Sequence, residues 1–413
     1  ICLNIWITSI MSKTTRRRPS FIIGAYVILV MLSMITLGMY YDFQDKVLFI
    51  LIPSLFFIAF INDIKTPPIK GNKEFIAYII LVCIALSSVF YSPPFNFQMF
   101  LYAFPFLLGT LIASYIPLGL NKNKNYEDFF HLGFVVSIVG LILIEYFQGN
   151  FILLGFETGK IGRDKFTFNA NYYSYISFFA NFSLFYLHVK YRNFLTTIST
   201  IILPILFIIL AFVTQSRAGL LITILINGIF WFLIIKNTKG NLFYRLAKNV
   251  ILISVTLFII LQFVNIYQNS QIKNRMAKSS DDSRGELAMQ ALVVFTNHPF
   301  TGVGLGQFPR YTKTGLFSHN SYTEILAEHG IIGGIVLFML FGMPTFKSYK
   351  NLKINSKSSL NRLNFLFFIT FLIYNNAYVF YKASFAMLYF FLIISIQNNA
   401  DRIENKTESN NLK

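Results

Sequence analysis

The chain is a succession of apolar runs close to the thickness of a lipid bilayer, and this limits its fold more than anything else in it. A helix needs ~20 consecutive apolar residues to cross the hydrocarbon core. Runs near that length lie at about 20–39, 47–61, 75–91, 97–119, 129–147, 170–188, 194–214, 218–235, 249–267, 331–346, 364–380 and 384–397. They are continuously apolar rather than alternating, so helices are expected and barrel strands are not. The expected fold is an all-α polytopic membrane protein with about twelve transmembrane helices. Composition agrees: 55% of residues are hydrophobic and 13% charged, where an ordinary soluble domain has roughly 25% charged residues.

The formal charge of +18 would point to nucleic acid in a soluble chain. Position decides otherwise. With the N-terminus in the cytoplasm, 23 of the 35 Lys/Arg residues fall in segments on that side and 12 on the other, as the positive-inside rule requires. Insertion accounts for most of the charge, both termini are expected in the cytoplasm, and nucleic acid is excluded as a partner. Met11 before Lys13, Arg16, Arg17 and Arg18 reads as a natural start, with residues 1–10 an upstream extension. No small-residue cleavage site follows Tyr40, so a signal peptide is not expected.

The layout that follows has a cytoplasmic segment over 1–19, nine helices over 20–267, an extracytoplasmic loop over 268–330, three helices over 331–397 and an irregular polar tail over 398–413. Cys2 and Cys83 lack the spacing of a disulfide framework or a thiolate metal site. None of the seventeen Asp/Glu residues falls in mid-span, Glu145 coming nearest. That weighs against an ion-coupled transporter, which keeps ionisable groups at membrane depth.

The outer cations are the informative ones, because insertion does not ask for them. Lys46 and Lys382 stand singly; Lys160, Arg163 and Lys165 follow the fifth run; Arg217 sits in a tight turn; Lys273, Lys278, Arg284, Arg310 and their neighbours Arg275 and Lys313 belong to the long polar interval. Three loops thus make one basic focus. Arg217 opens a helix, where free backbone N–H groups and the positive dipole end favour a phosphate oxygen; snorkelling to lipid headgroups is the other reading. Gln215, Ser216 and Gly219 suit a close polar approach.

Within the interval, a helix is expected from about Arg284 to Asn297, with Ser283 and Glu286 at capping-box spacing and Pro299 as its stop. Its apolar face, including Leu287, Ala291, Leu292 and Val294, is free to lie on the membrane or against the bundle. Arg284 in the first turn opposes the helix dipole, which suggests an anionic partner, whether a ligand or Asp281 and Asp282. Gly302, Gly304 and Gly306 have the wrong spacing for a dinucleotide fingerprint and read as a close-packed turn. His298 reads as a capping side chain. A second helix follows, with Ser321 and Glu324 as its capping pair and a pause at Gly330. His319 and Asn320 stand just before it, where a neutral imidazole can take a proton from a hydroxyl or serve structure alone.

Taken together, TQSRAG at 214–219, DDSRGELAMQALVVFTNHPFTGVGLGQF at 281–308 and SHNSYTEILAEHGIIGG at 318–334 resemble the O-antigen ligase and O-antigen polymerase family of bacterial envelope glycosyltransferases. RDKFTFNANYYSY, with Arg163, Phe168 and Asn171, is similar to a further outer-loop signature of that family. The resemblance implies a glycosyltransferase C-like helical fold with one large outer loop. It also implies an inverting glycan transfer, without metal or cofactor, from undecaprenyl pyrophosphate to a sugar hydroxyl at the outer face of the bacterial inner membrane. Arg217 and Arg284 then match the phosphate-binding arginines and His319 the loop histidine beside the acceptor. Arg163, Asn171, Ser216 and Asn320 become candidate substrate contacts, and Arg310 joins them from the charge pattern without a motif of its own. The expected acceptor is another lipid-linked repeat, as for a polymerase. Transfer to a lipid A core sugar, as for a ligase, and a polysaccharide flippase are the alternatives.

Overall fold

A computed structural model describes residues 19–37, 46–64, 72–91, 95–122, 125–150, 169–214, 216–234 and 283–411, without the side chains of 170, 233–234, 283 and 400–411. The expectations for Arg163, Gln215, Asp281, Asp282, the ninth apolar run and the start of the long polar interval lie outside these residues. Among the described residues there is no strand.

The helices are α1 (Phe21–Leu32), α2 (Ile52–Asp63), α3 (Lys73–Tyr91), α4 (Phe97–Leu120), α5 (Glu127–Phe147), α6 (Ala170–Tyr191), α7 (Phe194–Val213), α8 (Arg217–Ile229), α9 (Ser283–Asn297), α10 (Ser321–Ile354), α11 (Ser359–Tyr374) and α12 (Ser384–Asn411). Single π-helical turns extend α1 to Leu37, precede α2 from Val47 and extend α8 to Ile234. All but α9 coincide with apolar runs of the sequence. Five of the described helices, α3, α4, α5, α7 and α10, are long and apolar enough to cross a membrane, and five shorter apolar helices accompany them. The chain is a multi-pass membrane protein.

The centre of the bundle is α6 and the first half of α12. Phe178, Phe179, Phe182 and Phe185 are fully buried, and so are Met387 to Phe391 on α12. Lipid tails are as apolar as leucine, so packing rather than escape from water holds such helices together. Edge-to-face aromatic contacts do much of this: Phe182 meets Phe367 at 5.2 Å and Phe134 meets Tyr389 at 4.8 Å. Because α6 is surrounded by protein, it tolerates buried Ser177, Asn181 and Ser183 that a lipid-facing helix would not.

Polar contacts gather at the two ends of the bundle. At one end Lys122 pairs with Asp63 (2.7 Å) and Lys190 with Asp128 (2.8 Å), while Lys347 donates to Asn398 (2.6 Å). At the other, Leu305 N–H donates to Ser88 Oγ (3.2 Å), Gln307 and Asn96 exchange two hydrogen bonds of 2.9 Å, and Tyr173 donates to the fully buried Glu145. Residues that the sequence assigns to outer loops thus meet at a single end. The tail expected to be irregular instead continues α12 to Asn411; no Pro or Gly interrupts it after Ser384.

At that second end, α10 is broken at Gly330, whose φ of 59° and ψ of −157° are non-helical. In an unbroken helix Ile331 N–H would bond to the Ala327 carbonyl. Here it donates to Pro299 O (2.8 Å), and Ala327 O accepts from Val303 N–H (2.9 Å) instead. Glu328 O likewise accepts from Gly304 N–H (2.7 Å). The glycine turn is therefore sewn into the break, the close backbone approach expected of it. A Cβ at Gly330 would stand 2.4 Å from the Phe300 carbonyl carbon and oxygen. Gly330→Ala adds that clash to an unfavourable positive φ, and should cost about 2 kcal/mol or more, read as a clear drop in the melting temperature of detergent-purified protein.

Candidate functional site

The site is assembled where α8, α9 and α10 begin. Arg217 is the first residue of α8, and its N-cap, Ser216, is buried and makes no side-chain cap bond. Gly219, one turn in, packs against α6 so closely that a Cβ would lie 2.3 Å from Ser174 Oγ. Ser174 is 3% exposed and its hydroxyl has no hydrogen-bond partner among the described residues. A positive helix end, a guanidinium and a buried hydroxyl thus share one corner. Asn171, three residues before Ser174, lies half-buried in the first turn of α6, its N–H capped by Asn169 Oδ1 (3.1 Å).

From the same stretch of α6, Tyr175 reaches the connection between α11 and α12. Its hydroxyl donates to Ala377 O (2.9 Å), and its ring lies 4.4 Å from that of Tyr378. Arg284 Nη1 reaches the same Ala377 carbonyl at 3.5 Å from the start of α9. Ala377 O is therefore a shared acceptor that ties the Arg284 side chain to the helix carrying Ser174. Helix α9 is held from beneath by Leu287, Ala291 and Val294, the last two packed with Val303, Phe308 and Ala327. The Leu287, Ala291 and Val294 side lies against the bundle, while Leu292, expected on that face, is exposed with Met289 and Val293. Glu286 accepts from Gln290 (3.1 Å) and pairs with the exposed Lys313 (3.6 Å).

His319 has φ 55°, one of two positive-φ residues other than glycine among the described residues. Such a backbone costs of order 1–3 kcal/mol and persists only where neighbours fix it. They do so on both sides. Ser318 N–H donates to Glu324 Oε2 (2.7 Å), and Ser318 Oγ donates to Asn320 O (2.9 Å). Asn320 is the N-cap of α10, its Oδ1 accepting from Tyr322 and Thr323 N–H. This corrects the expected pairing of Ser321 with Glu324: Ser321 is already inside the helix, donates to Asn375 Oδ1 (2.6 Å) and accepts from Phe380 N–H (3.1 Å). The backbone turn at His319 presents Asn320, not Ser321, to the free N–H groups. Burial and then the Arg284 cation lower the His319 pKa, Glu324 opposing them, which favours the neutral imidazole.

Lys382, expected to stand singly, is not alone. Its Nζ lies 2.6 Å from Glu328 Oε2 and 3.1 Å from Glu324 Oε1, with both carboxylates fully buried. Burial pulls the ammonium down, but Glu328 and Glu324 together outweigh it and raise its pKa. Glu328 Oε1 also accepts from Gly306 N–H (3.0 Å), which joins the cluster to the glycine turn. Nothing local in the sequence signals this, since Lys382 is far along the chain from both carboxylates. His298, expected to cap with its side chain, is exposed and caps through its backbone N–H, which donates to Val294 O (3.0 Å), while its carbonyl accepts from Gly302 N–H (3.0 Å). Arg310 is exposed on the 3₁₀ turn Phe308–Tyr311 and donates to Gln307 Oε1 (3.4 Å), on the side facing Asn96. Among the described residues no group of His, Cys, Asp and Glu has the arrangement of a metal site.

The O-antigen ligase family model matches residues 202–338, from within α7 into α10. That span includes Arg217, Arg284, Arg310, His319 and both carboxylates that hold Lys382. Over these residues, about a third of the chain, it is similar to the O-antigen ligase family. No curated protein matches the chain. Because the Arg284 cation lowers the His319 pKa, Arg284→Ala should raise the imidazole's pKa towards its usual value. Diethyl pyrocarbonate attacks the neutral ring, so labelling of His319 at pH 6, followed by peptide mass spectrometry, should fall in the variant.

Proposed function

We propose that the protein transfers a glycan from undecaprenyl pyrophosphate to a sugar hydroxyl at the extracytoplasmic face of the bacterial inner membrane. The observation that carries this reading is the conjunction of Arg284 with a clamped His319 favoured in its neutral form, tied through Ala377 and α6 to the start of α8. The pyrophosphate docks against Arg217, the α8 N-terminus and Arg284. The acceptor oxygen attacks C1 of the donor sugar while its proton passes to His319. The bond from C1 to the phosphate oxygen breaks, and the configuration at C1 inverts. The leaving pyrophosphate carries the electron pair, and fixed positive groups stabilise its charge best where water is scarce. No carboxylate pair is required, and the role of Arg163 and Asn171 is to line the donor's approach.

Our reading of the acceptor is a second lipid-linked repeat, which makes the enzyme a polymerase. The matched family's description as O-antigen ligase supports a second reading, in which a lipid A core sugar accepts the chain. Surface polysaccharide from a deletion strain separates them on a gel. One repeat left on the core indicates a lost polymerase, whereas bare core with accumulated lipid-linked polymer indicates a lost ligase.

Arg217→Ala and Arg284→Ala should each remove about 10²–10³-fold of the transfer rate, the scale of a lost charge-stabilising donor. The glycan ladder should vanish while the protein remains in the membrane fraction. Normal ladders from both variants would overturn the assignment.

A further inference from the structure

We infer that Glu324, anchored by Lys382, is the positioning residue for His319 in this reaction, setting the imidazole's place without touching the substrate. The inference rests on the glycan-transfer reading above and adds to it a residue pair that the basic focus does not include.

Geometry carries it. Glu324 uses its two oxygens on different targets: Oε2 accepts the Ser318 N–H at 2.7 Å, one residue before His319, and Oε1 accepts from Lys382 Nζ at 3.1 Å. The carboxylate is fully buried, so each bond is made away from bulk water. Lys382 is itself fixed, since its carbonyl accepts from Thr110 Oγ1 (3.1 Å) on α4 and its Nζ also donates to Glu328 (2.6 Å). A rigid line therefore runs from α4 through Lys382 and Glu324 to the peptide that precedes the strained histidine. Downstream, Asn320 caps α10 and Ser321 is tied to Asn375, so the turn is held at both ends. A histidine with φ 55° needs such fixing, and a backbone free to relax would leave that region.

The charged groups that face His319 come from two elements: Arg284 at the start of α9 and Glu324 on α10, the latter backed by Lys382. Glu324 is the one that favours the protonated imidazole. A general base works only when neutral, so the transfer rate falls as the pH drops through its pKa. Removing the Glu324 charge moves that acid limb to lower pH.

The test uses the full-length protein purified in detergent, with a lipid-pyrophosphate-linked glycan and its acceptor. Glu324→Gln keeps the shape and an acceptor for Ser318 N–H but loses the charge. It should fold and show its acid limb at lower pH than the wild type. Glu324→Ala loses the acceptor as well. It should lose about 100-fold in kcat, the scale of a misplaced reacting group, with KM for the lipid donor little changed. An unshifted acid limb in Glu324→Gln, or a wild-type kcat in folded Glu324→Ala, would overturn the proposal. If Glu324→Ala does not fold, the acid limb of Glu324→Gln decides alone. His319→Ala separates the two levels of the argument. Full activity in that variant defeats the catalytic reading itself, whereas an inactive His319→Ala beside a wild-type-like Glu324→Ala defeats only the positioning role.

Discussion

The exchange of backbone hydrogen bonds at Gly330 is the constraint on which the candidate site depends. A helix that ran straight from Ser321 into the membrane would consume the Ala327 and Glu328 carbonyls internally. By breaking at Gly330 it releases them to Val303 and Gly304, and Ile331 turns to Pro299. The glycine turn is thereby fixed to α10, and α9 to the turn through Ala291, Val294, Val303 and Phe308. Arg284 at the start of α9 and His319 just before α10 inherit their relative placement from these few bonds. A loop built this way is as rigid as the helix it is sewn to.

Charge is arranged around that frame in two layers. The outer layer is cationic and includes Arg217 at a helix start and Arg284 against the Ala377 carbonyl. The buried layer is a Lys382 ammonium between the Glu324 and Glu328 carboxylates. Buried ion pairs are weak evidence for stability, because desolvation offsets most of their attraction. Their value here is geometric: Glu324 and Glu328 spend their remaining oxygens on the Ser318 and Gly306 N–H groups, one on each side of the loop.

Much of this was legible in the sequence. Length and continuous hydrophobicity identified the helices, and the helix of the polar interval was placed within a residue of α9 because Pro299 stops it. Gly302, Gly304, Gly306 and Gly330 all have positive φ, as a tight turn and a helix pause require. The misses have a common cause. The N-cap role that the S-x-x-E pattern assigns to Ser321 is taken one residue earlier by Asn320, and only the backbone turn at His319 decides between them. Lys382 looked solitary because its partners are remote in the chain and meet it only when the connection before α12 folds against α10. Local patterns report local bonds; the charges that matter most here are joined by tertiary packing.

The most direct test of the account is transfer by the purified protein in detergent, with a lipid-pyrophosphate-linked glycan, an acceptor and no nucleotide sugar. The account predicts an elongated glycan with inverted anomeric configuration and one undecaprenyl pyrophosphate released per bond formed. Absence of product in detergent, together with movement of the lipid-linked glycan across sealed vesicles, would contradict it and identify a transporter instead.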